Sequence, residues 1–135
     1  MQKILSAIAF AICISSVNFC SADYYDDSPD YVYVGWAPSI KTYLNLRSVD
    51  VQEYNPPHYQ IGYKLINITE IPGTNEKKWR YNSKRYNWYT KETFHLENGY
   101  WVKDDVTSQT GMAERARYAA DVVFRAAYGM NFYGY

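Results

Sequence analysis

Alternating apolar and polar residues occupy most of the chain between positions 31 and 102. Alternation with a period of two residues is typical of half-buried β-strands, and these runs are rich in the aromatic and β-branched residues that strands favour. The pattern predicts strands over residues 31–36, 43–54, 58–71, 78–81, 85–89, 93–96 and 100–102. Turn sequences such as Pro56-Pro57 and Pro72-Gly73 separate them.

Three local features refine this pattern. The parity of the apolar positions shifts at Arg47-Ser48, which predicts a bulge or a short break inside residues 43–54. Asn82-Ser83 is interpreted as a tight hairpin turn, and Glu97-Asn98-Gly99 as a second hairpin with a stronger turn sequence.

A single helix is predicted from Met112 to Tyr128, with Thr110 as its N-cap and Gly129 just beyond its C-terminus. The helical period places one set of small and apolar residues in a common sector: Met112, Ala116, Ala119, Ala120, Val123, Ala126 and Ala127. A polar set falls opposite and is expected in solvent: Glu114, Arg117, Tyr118, Asp121, Arg125 and Tyr128. Strands followed by one helix predict an α+β fold, with an antiparallel sheet of about five to six strands and one C-terminal helix packed on it.

The N-terminal segment predicts export. Lys3 precedes an apolar run over residues 4–17 that is too short to span a bilayer, and the small residues Ser21 and Ala22 follow it. Residues 1–22 are therefore predicted to be a signal peptide, and the product to be secreted, periplasmic or at the cell surface, with no membrane span after cleavage. Both cysteines, Cys13 and Cys20, would leave with that peptide, so no disulfide framework is expected.

Two regions are predicted after the signal peptide. Residues 23–30, with the sequence DYYDDSPD, carry four acids and no base and are expected to form an acidic mobile leader. Residues 31–135 are expected to form a single α+β domain.

Composition excludes several classes of function. The chain has 14 basic and 14 acidic residues, so no charge excess points to nucleic acid. His58 and His95 are the only histidines, and no zinc, nucleophile-elbow or phosphate-loop motif occurs. We therefore predict no catalytic residue, no metal and no cofactor.

One segment of the sequence is unusually rich in both basic and aromatic residues. Residues 77–91, KKWRYNSKRYNWYTK, interleave six bases with five aromatic side chains. With a turn at Asn82-Ser83, alternation puts the aromatic residues on one sheet face under the helix and a cationic patch on the other. The predicted ligand-binding residues are Lys78, Arg80, Arg85 and Tyr89, and the expected partner is an acidic protein or an anionic glycan at the cell surface. The alternative is that these bases serve solubility alone.

The order of these elements resembles the bacterial surface-adhesin protein E-like group of small exported proteins. The segments that carry the resemblance are YVYVGW, SVDVQEY, HYQIGYKL, KKWRYNSKRY and NGYWV, between the signal peptide and the terminal helix. The resemblance implies an antiparallel sheet with a helix, self-association and binding of host proteins at the envelope. This chain departs from the group in lacking a mature cysteine pair and a lipid-acceptor motif, and no functional residue is carried over.

We expect a non-enzymatic, adhesin-like binding module that could form a homodimer. The alternative is a small secreted hydrolase whose acid and base carboxylates lie far apart in the sequence and close together in a pocket with raised pKa.

Overall fold

A computed structural model describes residues 22–35, 37–71 and 74–134. Within these ranges the fold is α+β, as predicted, with two α-helices and a seven-stranded antiparallel sheet where about five to six strands were expected. The helices are α1 (Ala22–Asp27) and α2 (Gly111–Tyr128). The strands are β1 (Tyr31–Tyr33), β2 (Ile40–Asn45), β3 (Asp50–Asn55), β4 (His58–Ile71), β5 (Thr74–Asn87), β6 (Glu92–Glu97) and β7 (Tyr100–Lys103). The predicted signal peptide lies outside the described residues, apart from Ala22.

The long strands β4 and β5 form the centre of the sheet. Neighbouring strands follow the order β1-β2-β4-β5-β6-β7, and β3 also pairs with β4. β2 and β3 lie end to end along the same side of β4, separated by a 3-10 helix at Leu46–Ser48. This confirms the predicted break, and Ser48 Oγ accepts a hydrogen bond from the Lys64 backbone N at 2.7 Å, which satisfies a β4 donor where the ladder is interrupted.

Each face of the sheet has its own core. On the α2 face, Leu44, Ile61, Leu65 and Tyr86 pack with α2. On the α1 face, a smaller cluster contains Tyr25, Tyr43, Ile66 and Ile68. Because successive residues of a strand point to opposite faces, the odd positions of β4 from Ile61 to Leu65 and the even positions from Ile66 to Ile68 serve the two cores.

The ends of α2 agree with the prediction, whereas its buried sector is rotated. Thr110 Oγ1 accepts a hydrogen bond from Ala113 N at 3.2 Å, and Gly129 has a φ of 73°. Val123 and Ala120 are buried as expected, but Phe124 and Asp121 are buried as well, and Met112 is 61% exposed. Asp121 was placed on the solvated side, and that was wrong.

The C-terminal tail explains the rotation. Asp121 Oδ1 accepts hydrogen bonds from the backbone N of Tyr133 and of Gly134, so the chain after α2 folds back on the helix. Phe132 in this tail is 2% exposed and lies 4.8 Å, centroid to centroid, from the ring of Phe124. The tail therefore covers a side of α2 that helical periodicity alone assigns to solvent.

The acidic segment is part of the fold. Residues 22–27 form α1, Tyr25 is 5% exposed, and the Tyr43 hydroxyl donates to Asp26 Oδ1 at 2.7 Å. The expectation of a mobile leader over residues 23–30 does not agree with these contacts, because Tyr25 supplies apolar surface to the core of the α1 face.

Of the two predicted hairpins, one is confirmed. Asn98 and Gly99 have φ angles of 50° and 81° and join β6 to β7 as a turn in which both central residues have positive φ. The hairpin at Asn82-Ser83 is wrong, because β5 continues through both residues, which pair with Tyr63 and Gly62. The fourteen-residue strand β4 offers a continuous partner, and Asn-Ser lacks the glycine that favours a tight turn.

Candidate functional site

The four residues predicted to bind a ligand do not form one patch. Arg80 pairs with Leu65 and Lys78 with Asn67, so both lie on the α2 face. Arg85 pairs with Gln60 on the α1 face. Tyr89 lies in the turn after β5 and is 81% exposed.

The continuous course of β5 causes this division. A turn at Asn82-Ser83 would have reversed the chain and brought Arg80 and Arg85 to the same face. In an uninterrupted strand, residues five apart point to opposite faces. The same parity places Trp79 and Tyr81 on the α1 face, away from α2, whereas Tyr86 lies under α2, as predicted, and packs against Phe124.

On the α1 face, Arg85 is held in a fixed orientation. Its guanidinium carbon lies 4.3 Å from the centre of the Trp101 ring, and its Nε donates to Gln60 Oε1 at 3.1 Å. Stacking on an aromatic face combined with a directed hydrogen bond limits the rotamers available to an exposed arginine. Among the described residues, the two terminal guanidinium nitrogens have no hydrogen-bond partner, so they are oriented to donate to a ligand.

A hydrogen-bonded chain of uncharged side chains extends from Gln60 across the α1 face. Gln60 Nε2 donates to Gln52 Oε1 at 2.7 Å and to Ser83 Oγ at 3.2 Å. Ser83 Oγ donates to Gln52 Oε1 at 2.6 Å, and Gln52 Nε2 donates to the Tyr81 hydroxyl at 2.8 Å. These hydrogen bonds link β3, β4 and β5. Gln60, which orients Arg85, is therefore itself held in place by side chains of the two neighbouring strands.

Arg85 and Trp101 border a concavity of about 400 Å³ at the end of the sheet where β3, β4 and β5 meet β6 and β7. Its walls combine aromatic rings with polar groups: Glu53, His58, Tyr59, Arg85, Tyr86, Asn87, Phe94 and Trp101. We call this concavity the Arg85 pocket. Its volume lies within the range of small-molecule sites, and the polar side chains Glu53, His58, Arg85 and Asn87 converge on it from β3, β4 and β5.

A second polar cluster lies on the α2 face around Asp104, just after β7. Its carboxylate accepts hydrogen bonds from Lys84 Nζ at 2.7 Å and Thr93 Oγ1 at 2.7 Å, and it lies 2.6 Å from His95 Nδ1. Burial acts to raise the pKa of Asp104, but the Lys84 charge and these hydrogen bonds outweigh it and lower that pKa below its usual value. Because the ionised carboxylate only accepts, Nδ1 of His95 carries the proton, and Nε2 lies 3.3 Å from Glu97 Oε2.

Within residues 22–35, 37–71 and 74–134, no group of three or more histidine, cysteine or acidic side chains is arranged to hold a metal ion. None of the helices described is long and apolar enough to cross a membrane. Comparisons of the chain with protein-family models, with curated proteins and with solved structures find no match.

Sequence reasoning missed most of the Arg85 pocket. It also missed the partners of Arg85 itself: Gln60 and Trp101 lie on different strands, and only the register brings them to Arg85. One feature of the sequence could have indicated the correct register. The predicted strand at residues 58–71 is long, and a long strand pairs best with an equally long neighbour, which argues against a turn at Asn82-Ser83.

Proposed function

We propose that this protein is an exported, non-enzymatic binding module of the cell envelope, and that it binds an acidic glycan in the Arg85 pocket. The observation that carries the proposal is the orientation of Arg85, stacked on Trp101 and hydrogen-bonded to Gln60, with its terminal nitrogens directed to solvent. A guanidinium fork of this kind matches the two oxygens of a carboxylate in a bidentate pair.

The rest of the pocket suits a sugar. Asn87, His58 and Glu53 supply donors and acceptors for hydroxyl groups, while Trp101 and Phe94 supply apolar surface for the C–H faces of a ring. A pocket of about 400 Å³ accommodates one or two sugar residues, which favours a glycan over an acidic protein surface that would need a flatter and larger contact.

The pKa shifts of Asp104 and Asp105 give no support to the hydrolase alternative. A carboxylic acid that donates a proton at neutral pH needs a raised pKa. Asp104 has a lowered pKa, and hydrogen bonds from Ser108 and Thr107 lower the pKa of Asp105 as well. These two carboxylates therefore act as fixed acceptors that organise the chain around them.

Export rests on the sequence of residues 1–22, and it has its own test. Fractionation of the native host with an antibody to the protein, followed by intact-mass analysis, should recover a chain that begins at Asp23 outside the cytoplasm. Recovery of a cytoplasmic chain beginning at Met1 would overturn the assignment.

Binding is tested by calorimetry with an oligogalacturonate and its neutral methyl ester. The purified protein should bind the acid, bind the ester at least tenfold more weakly, and lose affinity as salt increases. Arg85→Gln should weaken binding of the acid by about 10- to 100-fold, since hydrogen bonds to charged groups contribute about 1.5–3 kcal/mol. Arg80→Gln is the matched control, because it removes the same charge from the same strand on the opposite face.

Equal binding of acid and ester, or equal losses in the two arginine variants, would contradict the proposal. Tighter binding of an acidic peptide than of the oligogalacturonate would also overturn the choice of a glycan, provided that Arg85→Gln weakens the binding of that peptide.

A further inference from the structure

The central strand β5 has a long unpaired edge. β4 pairs with β5 along its whole length, from Thr74 to Asn87. On the other side, β6 pairs only with the four residues from Lys84 to Asn87. Within the part of the chain that the structure describes, no strand pairs with this outer edge along residues 76–83.

The backbone groups on this edge can be assigned from the hydrogen-bond alternation of an antiparallel pair. The backbone N of Trp88 donates to the carbonyl of Pro57, on the β4 side. Residues of the same parity in β5 bond to β4, and the intervening residues direct N–H and C=O outward. Trp79 and Tyr81 therefore present unpaired donors and acceptors at the edge, which is a template for another strand.

A groove follows this edge. Five consecutive residues, Arg80 to Lys84, line a concavity of about 690 Å³ together with His95, Leu96 and Asp104. Consecutive residues alternate between the two faces, so a cavity lined by all five lies beside the strand and not above one face of it. The groove begins where β6 turns away into β7, at Leu96, and continues the row that β6 occupies.

The charges beside this edge favour an acidic peptide as its partner. On the α2 side of the edge lie two exposed bases: Lys78, whose Nζ is 3.4 Å from Glu76 Oε1, and Arg80, with which no acidic side chain among the described residues forms a salt bridge. On the α1 side lie Trp79 and Tyr81, which are 55% and 52% exposed. A second copy paired antiparallel about Trp79 would place its Lys78 opposite Arg80 and its Arg80 opposite Lys78, and like charges opposite each other on neighbouring strands repel.

We infer that the outer edge of β5 binds an extended peptide by strand addition, and that the peptide alternates acidic residues with apolar ones. The acidic side chains face Lys78 and Arg80, and the apolar side chains pack against Trp79 and Tyr81. Main-chain hydrogen bonds to Trp79 and Tyr81 provide affinity, and the alternation provides specificity. A peptide of about eight residues spans about 27 Å and would match residues 76–83. This surface is separate from the Arg85 pocket and its glycan.

The inference is tested with the purified protein and a blocked eight-residue peptide of alternating glutamate and valine, labelled for fluorescence anisotropy. Two comparison peptides define the mode of binding. One has lysine in place of glutamate and tests the role of charge, and the other is N-methylated at alternate residues along its hydrogen-bonding edge and tests the role of main-chain hydrogen bonds. Only the unmodified acidic peptide should bind. In hydrogen exchange, it should slow the amides of Trp79 and Tyr81 while leaving that of Arg80, which faces β4, unchanged.

Arg80→Glu should weaken binding at least tenfold, whereas Arg47→Glu, at a side chain 80% exposed in the 3-10 helix, should not. Thermal unfolding of both variants checks that they are folded. The inference is overturned if the acidic peptide fails to bind, if the methylated peptide binds equally well, or if Arg80→Glu has no effect. A concentration-dependent dimer with protected Trp79 and Tyr81 amides would identify a second copy as the occupant and overturn it too.

Discussion

The hydroxyl end of Tyr81 lies directly over the α-carbon of Gly62, in the space that a side chain at position 62 would need. A Cβ built at Gly62 would overlap the Tyr81 hydroxyl and would lie 2.7 Å from both Tyr81 Cζ and Gln52 Nε2. A side chain at position 62 would therefore have to displace the Tyr81 ring and the end of Gln52, and this close approach lets Tyr81 reach the glutamine side chains that lead to Arg85.

We expect Gly62→Ala to destabilise the protein by about 1–3 kcal/mol, the usual cost of forcing added volume into a packed position. In a Tyr81→Ala background the obstacle is gone, apart from the flexible end of Gln52. There the substitution should be neutral or stabilising by up to about 1 kcal/mol, because alanine restricts the unfolded chain. Urea unfolding of the wild type, the two single variants and the double variant measures this, and additive costs would contradict the packing account.

A second prediction concerns the Asp104 cluster and pH. The pKa of Asp104 is lower in the folded protein than in the unfolded chain, so its carboxylate stabilises the fold above the unfolded pKa of about 4. That contribution is lost as the pH falls through the folded pKa. Asp104→Asn should therefore cost about 2–4 kcal/mol at pH 7, since it leaves Lys84 without its partner, and the difference from wild type should shrink below about pH 4.

Glu97→Gln is the control for this cluster. The Glu97 side chain is 60% exposed, and its contact with His95 should contribute less than about 1 kcal/mol at any pH. A cost for Asp104→Asn that stays constant from pH 7 to pH 3 would show that the effect is steric and not electrostatic.

The sequence predicted the elements well where local chemistry decides them. The bounds of β4, the Asn98-Gly99 turn, the break after Asn45 and both caps of α2 all follow from residues adjacent in the chain. The main error came from a single assumed turn at Asn82-Ser83. Side chains alternate between the two faces of a strand, so assuming a turn there reversed the predicted face of every residue before it. Trp79 and Arg80 were therefore assigned to the wrong faces of the sheet.

The buried sector of α2 shows a second limit of sequence reasoning. Period analysis treats a helix as having one core side, and it gave the residues opposite that side to solvent. Here the tail after Gly129 returns along the helix, and its backbone N–H groups bind Asp121, which was assigned to solvent. Nothing in residues 112–128 themselves indicates that such a tail exists.

The corrected helix orientation makes a third prediction. Phe124 is 1% exposed and packs among Tyr86, Trp88 and Phe132, so Phe124→Ala should cost about 3–5 kcal/mol. Met112, assigned to the buried sector from the sequence, is 61% exposed, so Met112→Ala should change stability by less than about 0.5 kcal/mol. Thermal and chemical unfolding distinguish the helix orientation in the structure from the one predicted from the sequence. Comparable losses of stability in both variants would favour the orientation predicted from the sequence.

Two buried tyrosines, one with a partner for its hydroxyl and one without, provide the fourth prediction. Tyr43 and Tyr86 are 0% and 2% exposed. The Tyr43 hydroxyl donates to Asp26, whereas the buried Tyr86 hydroxyl has no hydrogen-bond partner among the described residues. A buried hydroxyl without a partner loses its hydration with no compensation, so removing it should be neutral or stabilising by about 1 kcal/mol in Tyr86→Phe. Tyr43→Phe breaks a hydrogen bond to a charged acceptor and should cost about 1.5–3 kcal/mol.

The same pair extends the test to alkaline pH. Burial raises the pKa of Tyr86 well above its usual value of about 10, so the folded protein keeps the phenol protonated where the unfolded chain ionises. The wild type must therefore lose stability as the pH rises above about 10, and Tyr86→Phe should lose less because it has no proton to release. Urea unfolding at pH 8 and at pH 10.5 should show the advantage of Tyr86→Phe over wild type increasing with pH. A clear loss of stability in Tyr86→Phe at pH 8 would mean that its hydroxyl has a partner, and an advantage that does not increase at pH 10.5 would mean that it ionises as it does in the unfolded chain.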